Sequence, residues 1–377
     1  MEIQAGIPAA NQPGRAEMPE RVYNFNPGPA TLPYEVLKQS ATGAVNFNDL
    51  GMSVMEISHR SKDFEGLMHE AMADMLGLMG LSPEEYAVMF LGGGASMQFC
   101  MVPFNFLSEG RTADYVHTGA WSKAAIKEAK LFGKVNIAAS SEDRNFGYVP
   151  RSFNLTPDAA YVHVTSNNTI FGTRMTRFPD TGTVPLFCDM SSDFLSRRLD
   201  FGKFSLIYAG AQKNIGPAGV TAVIVRRSLV ETARDGIPTM LSYKTHLAKD
   251  SLFNTPPVFA IYVVGLVMKW ARAQGGLEAI EKVNEAKAKL AYDAIDASGG
   301  FYRGTVEPES RSIMNLTFRL SSEELEEKFL GEAKKRQIIG LKGHRNVGGC
   351  RASMYNALPL EAAVKLAEFM EEFRKAN

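Results

Sequence analysis

Seven runs of apolar, strand-forming residues recur along the first two thirds of the chain: YAVMFL (86–91), ADYVHTG (113–119), VNIAAS (135–140), AYVHVTS (160–166), PLFCDM (185–190), FSLIYAG (204–210) and VTAVIV (220–225). They are mostly continuous rather than alternating, the pattern of strands covered on both faces. Helical patterns fall between several of them, such as SMQFCMVPFNFL (96–107) and SKAAIKEAKLF (122–132). Buried strands separated by helices predict a largely parallel sheet flanked by helices, so the fold class is α/β. From Pro256 the texture changes to long helices over 258–274, 277–297, 322–336 and 359–375, with one clear strand, MNLTFRL at 314–320. This predicts a smaller α+β domain beside a large α/β one. We place the large domain at 36–272 and build the small one from 1–35 together with 273–377. No internal repeat or low-complexity tract interrupts the pattern.

Composition narrows the class. The 377 residues exceed the roughly 100–200 of a typical domain, in keeping with two. The 41 basic and 41 acidic residues cancel, so no field for nucleic acid or membrane is implied. Cys100, Cys188 and Cys350 are odd in number and widely spaced; they fit neither a disulfide framework nor a metal cluster, and a reducing, cytoplasmic setting is expected. Residues 1–20 mix acids, Pro and Gly without an apolar segment, which is the composition of a loose extension rather than a signal peptide. The most apolar helical stretch, 258–268, is far shorter than the ~20 residues needed to span a bilayer. A soluble protein is expected.

Candidate chemistry centres on YAGAQKNIGPAG (208–219), where Lys213 lies among Ala209, Gly210, Ala211, Gly216, Ala218 and Gly219 instead of other charges. Asp189 ends the preceding strand, where open α/β sheets present their ligand sites. Taken alone, the two residues read more readily as an ordinary buried ion pair. A third element changes the balance: YAVMFLGGGASMQF is a strand, three glycines and a helix start, so backbone N–H groups converge on an anion site. It lacks the Lys-Ser/Thr ending of a nucleotide P-loop, and by itself such a turn is as often a tight connection. Pyridoxal 5'-phosphate (PLP) needs the three groups together: a Schiff-base lysine, a carboxylate for the pyridinium nitrogen and a helix N-terminus for the phosphate. At an effective dielectric of about 20, a carboxylate and pyridinium ~4 Å apart attract by roughly 4 kcal/mol, enough to keep the nitrogen protonated. Small residues around Lys213 would leave room for a planar ring.

Six motifs then carry a family resemblance: SVMEISHR (53–60), GGGASMQF (92–99), DMSS (189–192), YAGAQKNIGPAG (208–219), FNTPP (253–257) and LKGHRNVGGCRASMYNALPLE (341–361). In this order, from about Tyr23 to the C-terminus, the chain resembles the phosphoserine aminotransferases, which are class V aminotransferases of PLP fold type I. The resemblance implies transfer of the amino group of glutamate to 3-phosphohydroxypyruvate, giving phosphoserine and 2-oxoglutarate; a phosphorylated four-carbon 2-oxo acid of the pyridoxine route is a second substrate in some members. It makes Lys213 the Schiff-base lysine and Asp189 the partner of the ring nitrogen. Ala95 and Ser96 N–H groups and the Gln212 amide would hold the phosphate, Trp121 would stack on the ring and Thr169 would bond near its hydroxyl. Asn254 and Thr255 would reach the cofactor of the neighbouring subunit, so a homodimer with shared sites is implied. Arg351 would fork onto the α-carboxylate, and His59, Arg60, His344 and Arg345 resemble the cluster for the substrate phosphate or the distal carboxylate of glutamate. Some members carry arginine in place of Ser96 and serine in place of Pro27, so one phosphate contact and one glutamate contact differ.

A lysine freed beside the ring and away from bulk water is expected to have a lowered pKa and to act as general base, with ping-pong kinetics. Two rivals remain open on sequence. Another enzyme of the fold, such as alanine–glyoxylate aminotransferase or a cysteine desulfurase, would keep Asp189 and Lys213 but needs neither His-Arg pair, and Cys350 sits in a rigid-looking turn unsuited to a persulfide. A non-catalytic phosphometabolite-binding protein would use Lys213 as a mere anion contact.

Overall fold

The computed structural model describes residues 21–345 and 347–377; the extension expected over residues 1–20 lies outside the described residues. A seven-stranded sheet is built from β1 (Tyr86–Leu91), β2 (Thr112–His117), β3 (Lys134–Ser140), β4 (Val162–Thr165), β5 (Leu186–Asp189), β6 (Leu206–Gly210) and β7 (Thr221–Arg226). Their spatial order is β1-β7-β6-β5-β4-β2-β3. All neighbours pair in parallel except β7, which runs against β1 and β6. Each of the seven strand runs read from the sequence is present, with ends displaced by at most a few residues.

The unbroken apolar runs follow from burial on two sides. In β6, Ile207 and Ala209 enter one hydrophobic cluster while Leu206 and Tyr208 enter another on the opposite face. In β7 the same alternation separates Ala222 and Ile224 from Val223 and Val225. Helices Lys62–Met79 and Val258–Ala273 cover the first face, and Gly94–Phe106 with Ala120–Ala129 the second. Each buried Leu, Ile or Val among them contributes about 1.5–3 kcal/mol. Helix Lys62–Met79 was not legible as an element in the sequence, although its ends are well marked: Ser61 Oγ accepts from the Phe64 N–H, and Gly80 closes it at φ 67°.

A third cluster joins Phe25 to residues between Ala288 and Phe373. It packs helices Gly276–Asp296, Glu323–Lys335 and Leu360–Ala376 against an antiparallel sheet of Arg303–Gly304, Asn315–Arg319 and Cys350–Ser353. The strand Tyr23–Asn24 pairs in parallel with Ile338–Ile339 and brings the chain's beginning to this cluster. These two-residue strands, and Cys350–Ser353, escaped the sequence reading because they are too short to show a period. Among the described residues no helix is long and apolar enough to cross a membrane.

One lysine in this region is fully buried. Lys287 Nζ donates to the Tyr355 carbonyl at 2.7 Å and the Leu358 carbonyl at 3.0 Å, and burial pushes its pKa from 10.5 to about 7. Between those pH values the unfolded chain holds one more proton than the folded one, so raising the pH favours folding. In urea titrations from pH 7.5 to 9.5 the wild type should gain about 1.4 kcal/mol per pH unit over Lys287→Met. Parallel stability curves for the two proteins would show that Lys287 stays charged when buried.

Candidate active site

The carboxyl ends of the parallel strands open onto one cleft of about 270 Å³. Its lining combines Asp189, from the end of β5, with Gln212 and Lys213 of the connection between β6 and β7. That connection is a tight return: the Ala211 N–H meets the Val220 carbonyl at 3.0 Å, and the Gly216 N–H folds back on the Ala211 carbonyl at 2.9 Å. Gly94, Ala95 and Ser96 line the cleft from the first turn of helix Gly94–Phe106. The first N–H groups of a helix have no intrahelical acceptor, so this wall presents donors and the positive end of a helix dipole. The turn depends on glycine at 93, where φ is 86° and a Cβ would lie 2.5 Å from the Met97 Cβ.

Lys213 is the centre of the cleft. Its Nζ donates to Thr169 Oγ1 at 3.4 Å and lies 5.9 Å from the Trp121 ring centroid. Trp121 begins the helix after β2 and is 36% exposed, leaving an indole face available to a ligand. Burial lowers the Lys213 pKa, against an opposing pull from Asp189. Asp189 is buried, its Oδ1 accepts from the Ser191 N–H at 2.9 Å, and burial raises its pKa against the field of Lys213. Desolvation is the larger influence on both, so the pair is held short of a satisfied ion pair. On the far side, buried Arg351 donates from Nη1 to the Thr169 carbonyl at 3.1 Å, while its Nε has no partner among the described residues. His344 completes that wall.

Of the residues singled out in the sequence, Ala95, Ser96, Trp121, Thr169, Asp189, Gln212, Lys213, His344 and Arg351 therefore meet in one cleft. His59, Arg60, Asn254, Thr255 and Arg345 are outside its lining; His59 is half-buried and the other four are exposed. The expected reason for the small residues around Lys213 needs correcting. Ala209 and Ala211 belong to the hydrophobic core, and a Cβ on Gly216 would lie 2.7 Å from Val264 Cγ2 of the covering helix. They admit packing beneath Lys213. The residue that makes room at Lys213 itself is Gly28, at φ 128°, whose Cβ would stand 3.2 Å from Lys213 Cγ. Gly28, Asn167, Ser191 and Ser192 also line the cleft and were not singled out; the adjoining glycine and proline of NFNPGP were the available signal for the first.

Comparison with known proteins is decisive at this point. The family model of class-V aminotransferases matches residues 22–365. The phosphoserine aminotransferase of Desulfosudis oleivorans is 56% identical over 362 residues, 96% of this chain and 100% of that protein. The chain belongs to the phosphoserine aminotransferase family. A solved phosphoserine aminotransferase from Bacillus circulans subsp. alkalophilus superposes with a TM-score of 0.93 at 53% identity, covering 94% of this chain and 99% of that one. The PLP-bound enzyme from Trichomonas vaginalis gives 0.88 at 39% identity, over 93% and 100%. The protein is thus a PLP-dependent transaminase of the α/β fold expected from its sequence, and its cofactor is PLP. The residues fit that group on their own chemistry: a buried carboxylate without a satisfied cation, an amine whose pKa burial lowers, a helix N-terminus and an open aromatic face share one cleft.

Proposed function

We propose that this enzyme transfers the amino group of glutamate to 3-phosphohydroxypyruvate, in the cytoplasm, as a homodimer whose subunits complete each other's sites. The observation that carries the reading is that one cleft joins the Lys213–Asp189 pair to two separate anion-binding walls, the helix N-terminus at Ala95–Ser96 and the Arg351–His344 side. In this reading, the large unit spans 36–272 and the small one is 1–35 with 273–377; the separate hydrophobic cluster around Phe25 and Ala288–Phe373 supports the division.

When bound, PLP supplies the electron sink that makes the Cα–H of an amino acid acidic. The chain supplies the rest. Ala95 and Ser96 N–H groups and the Gln212 amide would hold the PLP phosphate, Trp121 would cover its ring, Thr169 would offer a hydroxyl to it, and Asp189 would supply the carboxylate for its nitrogen. The Arg351 guanidinium, with Nε unpaired among the described residues, forks onto the substrate α-carboxylate. Lys213 Nζ, which burial biases toward the neutral amine, would act as the general base for the substrate Cα proton.

His59, Arg60, His344 and Arg345 are assigned to the substrate phosphate or the distal glutamate carboxylate. Losing one charged hydrogen bond costs about 1.5–3 kcal/mol, so Arg60→Ala and Arg345→Ala should each reduce kcat/KM for phosphorylated substrates about 10- to 100-fold, with a smaller loss for a non-phosphorylated analogue. Equal losses would assign both arginines to folding. The same assay, run with 3-phosphohydroxypyruvate and with the phosphorylated four-carbon 2-oxo acid of the pyridoxine route, tests the substrate reading directly. Failure to aminate 3-phosphohydroxypyruvate would overturn it.

Asn254 and Thr255 are exposed and outside the lining of their own cleft, which supports their service to a second copy. Complementation tests this. Lys213→Ala and Asn254→Ala/Thr255→Ala homodimers should each be inactive or nearly so, whereas co-refolding them gives mixed dimers with one doubly defective site and one intact site. Activity should return in proportion to the mixed dimer measured by differential tagging. Verified mixed dimers with no more activity than the parents would show that FNTPP does not serve the partner's site.

A further inference from the structure

One dipeptide, Tyr355–Asn356, which follows strand Cys350–Ser353 and lies outside the cleft lining, bonds to residues that flank Lys213 on two sides. The Asn356 N–H donates to Asn214 Oδ1 at 3.0 Å, fixing the side chain of the residue next to Lys213. Tyr355 OH donates to the Pro27 carbonyl at 2.7 Å, fixing the segment whose next residue, Gly28, lies against the Lys213 stem. We propose that Tyr355 and Asn356 are positioning residues that set the Lys213 amine in the cleft by clamping Asn214 on one side and Pro27–Gly28 on the other.

The clamp is itself held firmly. Asn356 Nδ2 donates to the Leu195 carbonyl at 2.9 Å and its Oδ1 accepts from Asn284 Nδ2 at 2.8 Å, while Asn284 also reaches the Ser196 carbonyl at 3.0 Å. Lys287, one helical turn beyond Asn284, donates to the Tyr355 and Leu358 carbonyls. Tyr355 OH accepts from Asn315 Nδ2 at 3.2 Å. Asn214, Asn284, Lys287, Asn315, Tyr355 and Asn356 are all buried, so water cannot replace these bonds without opening the core. Through them, helix Gly276–Asp296 and the small sheet are joined to Asn214 and Pro27, the neighbours of Lys213 and Gly28. This network also gives Asn214 a purpose that its place in the QKN motif does not reveal.

The inference rests on Lys213 carrying the cofactor, which borohydride labelling of wild-type enzyme tests separately. Two variants of the holoenzyme test the clamp: Tyr355→Phe, which keeps the ring and removes one hydroxyl, and Asn214→Ala, which removes the acceptor for Asn356. Three quantities are read for each: the melting temperature, kcat and KM for glutamate, and the midpoint of the pH titration of visible absorption. The last reports the protonation of the lysine-linked cofactor and does not depend on turnover. Each variant should lower kcat about 3- to 10-fold with KM within twofold and should move the absorption midpoint by at least about 0.3 pH units. The combined variant should exceed either. Midpoints and kcat that stay at wild-type values in both variants, whether or not the melting temperature falls, would overturn the proposal and leave Tyr355 and Asn356 as packing residues.

Discussion

Lys213→Ala is expected to slow the half-reaction with glutamate by about 10²- to 10⁴-fold, the usual contribution of a positioned general base, and to abolish covalent attachment of the cofactor. The fold should be untouched. The one hydrogen bond from Nζ, to Thr169 Oγ1, is long at 3.4 Å, and bonds of that length contribute little. Burial lowers the lysine pKa, which means that the folded state bears a cost for any charge it retains there; removing the amine removes that cost. The melting temperature should therefore hold or rise, and the loss is chemical. Borohydride reduction followed by peptide mapping separates the two roles of the lysine. Wild type should carry the reduced cofactor at Lys213 alone, and the variant should carry none. Turnover retained by Lys213→Ala, or a label on another lysine, would remove Lys213 from the chemistry.

The cleft was legible in the sequence where a chemical constraint and a local pattern coincide. Asp189 ends a buried strand, Lys213 follows the next one, and GGGAS joins a strand to a helix; each is visible within a dozen residues, and topology then forces all three to the same edge of the sheet. Antiparallel β7 was less visible, because VTAVIV has the same unbroken apolar run as its parallel neighbours and burial on two faces erases the difference. Long-range partners left no trace. Nothing near Tyr355 or Asn356 in sequence announces Pro27 or Asn214, which are distant along the chain and meet only through the fold.

The small residues around Lys213 show how a correct inference can rest on a partly wrong reason. They suggest space for a flat ligand, but Gly216 has Val264 of helix Val258–Ala273 against it and Ala211 belongs to the hydrophobic core. Side-chain volume in a sequence reports crowding without saying on which side the crowding lies. Exposure has a similar ambiguity: Asn254 and Thr255 resemble any polar loop until the cleft is seen to lack them.

Asp189→Asn separates the ring-nitrogen partner from every other role of that position. The substitution preserves Oδ1, so the bond from the Ser191 N–H at 2.9 Å survives, and it removes only the charge. Burial raises the Asp189 pKa, so the folded state already disfavours this carboxylate, and a neutral amide should not lower the melting temperature. The field of Asp189 also props up the Lys213 pKa; without it the amine is deprotonated more readily, and the acid limb of the rate profile should shift to lower pH. The base is thus at least as available in the variant as in the wild type. A slower reaction can then come only from the cofactor ring, which has lost an attraction of roughly 4 kcal/mol at ~4 Å and an effective dielectric of about 20. Rapid-mixing measurements with glutamate should show a loss of about 10²- to 10³-fold together with that acid-limb shift, because each 1.4 kcal/mol is worth about tenfold in rate. A wild-type rate would exclude Asp189 as the partner of the ring nitrogen, and a slow rate with the acid limb moved to higher pH would trace the defect to Lys213 instead.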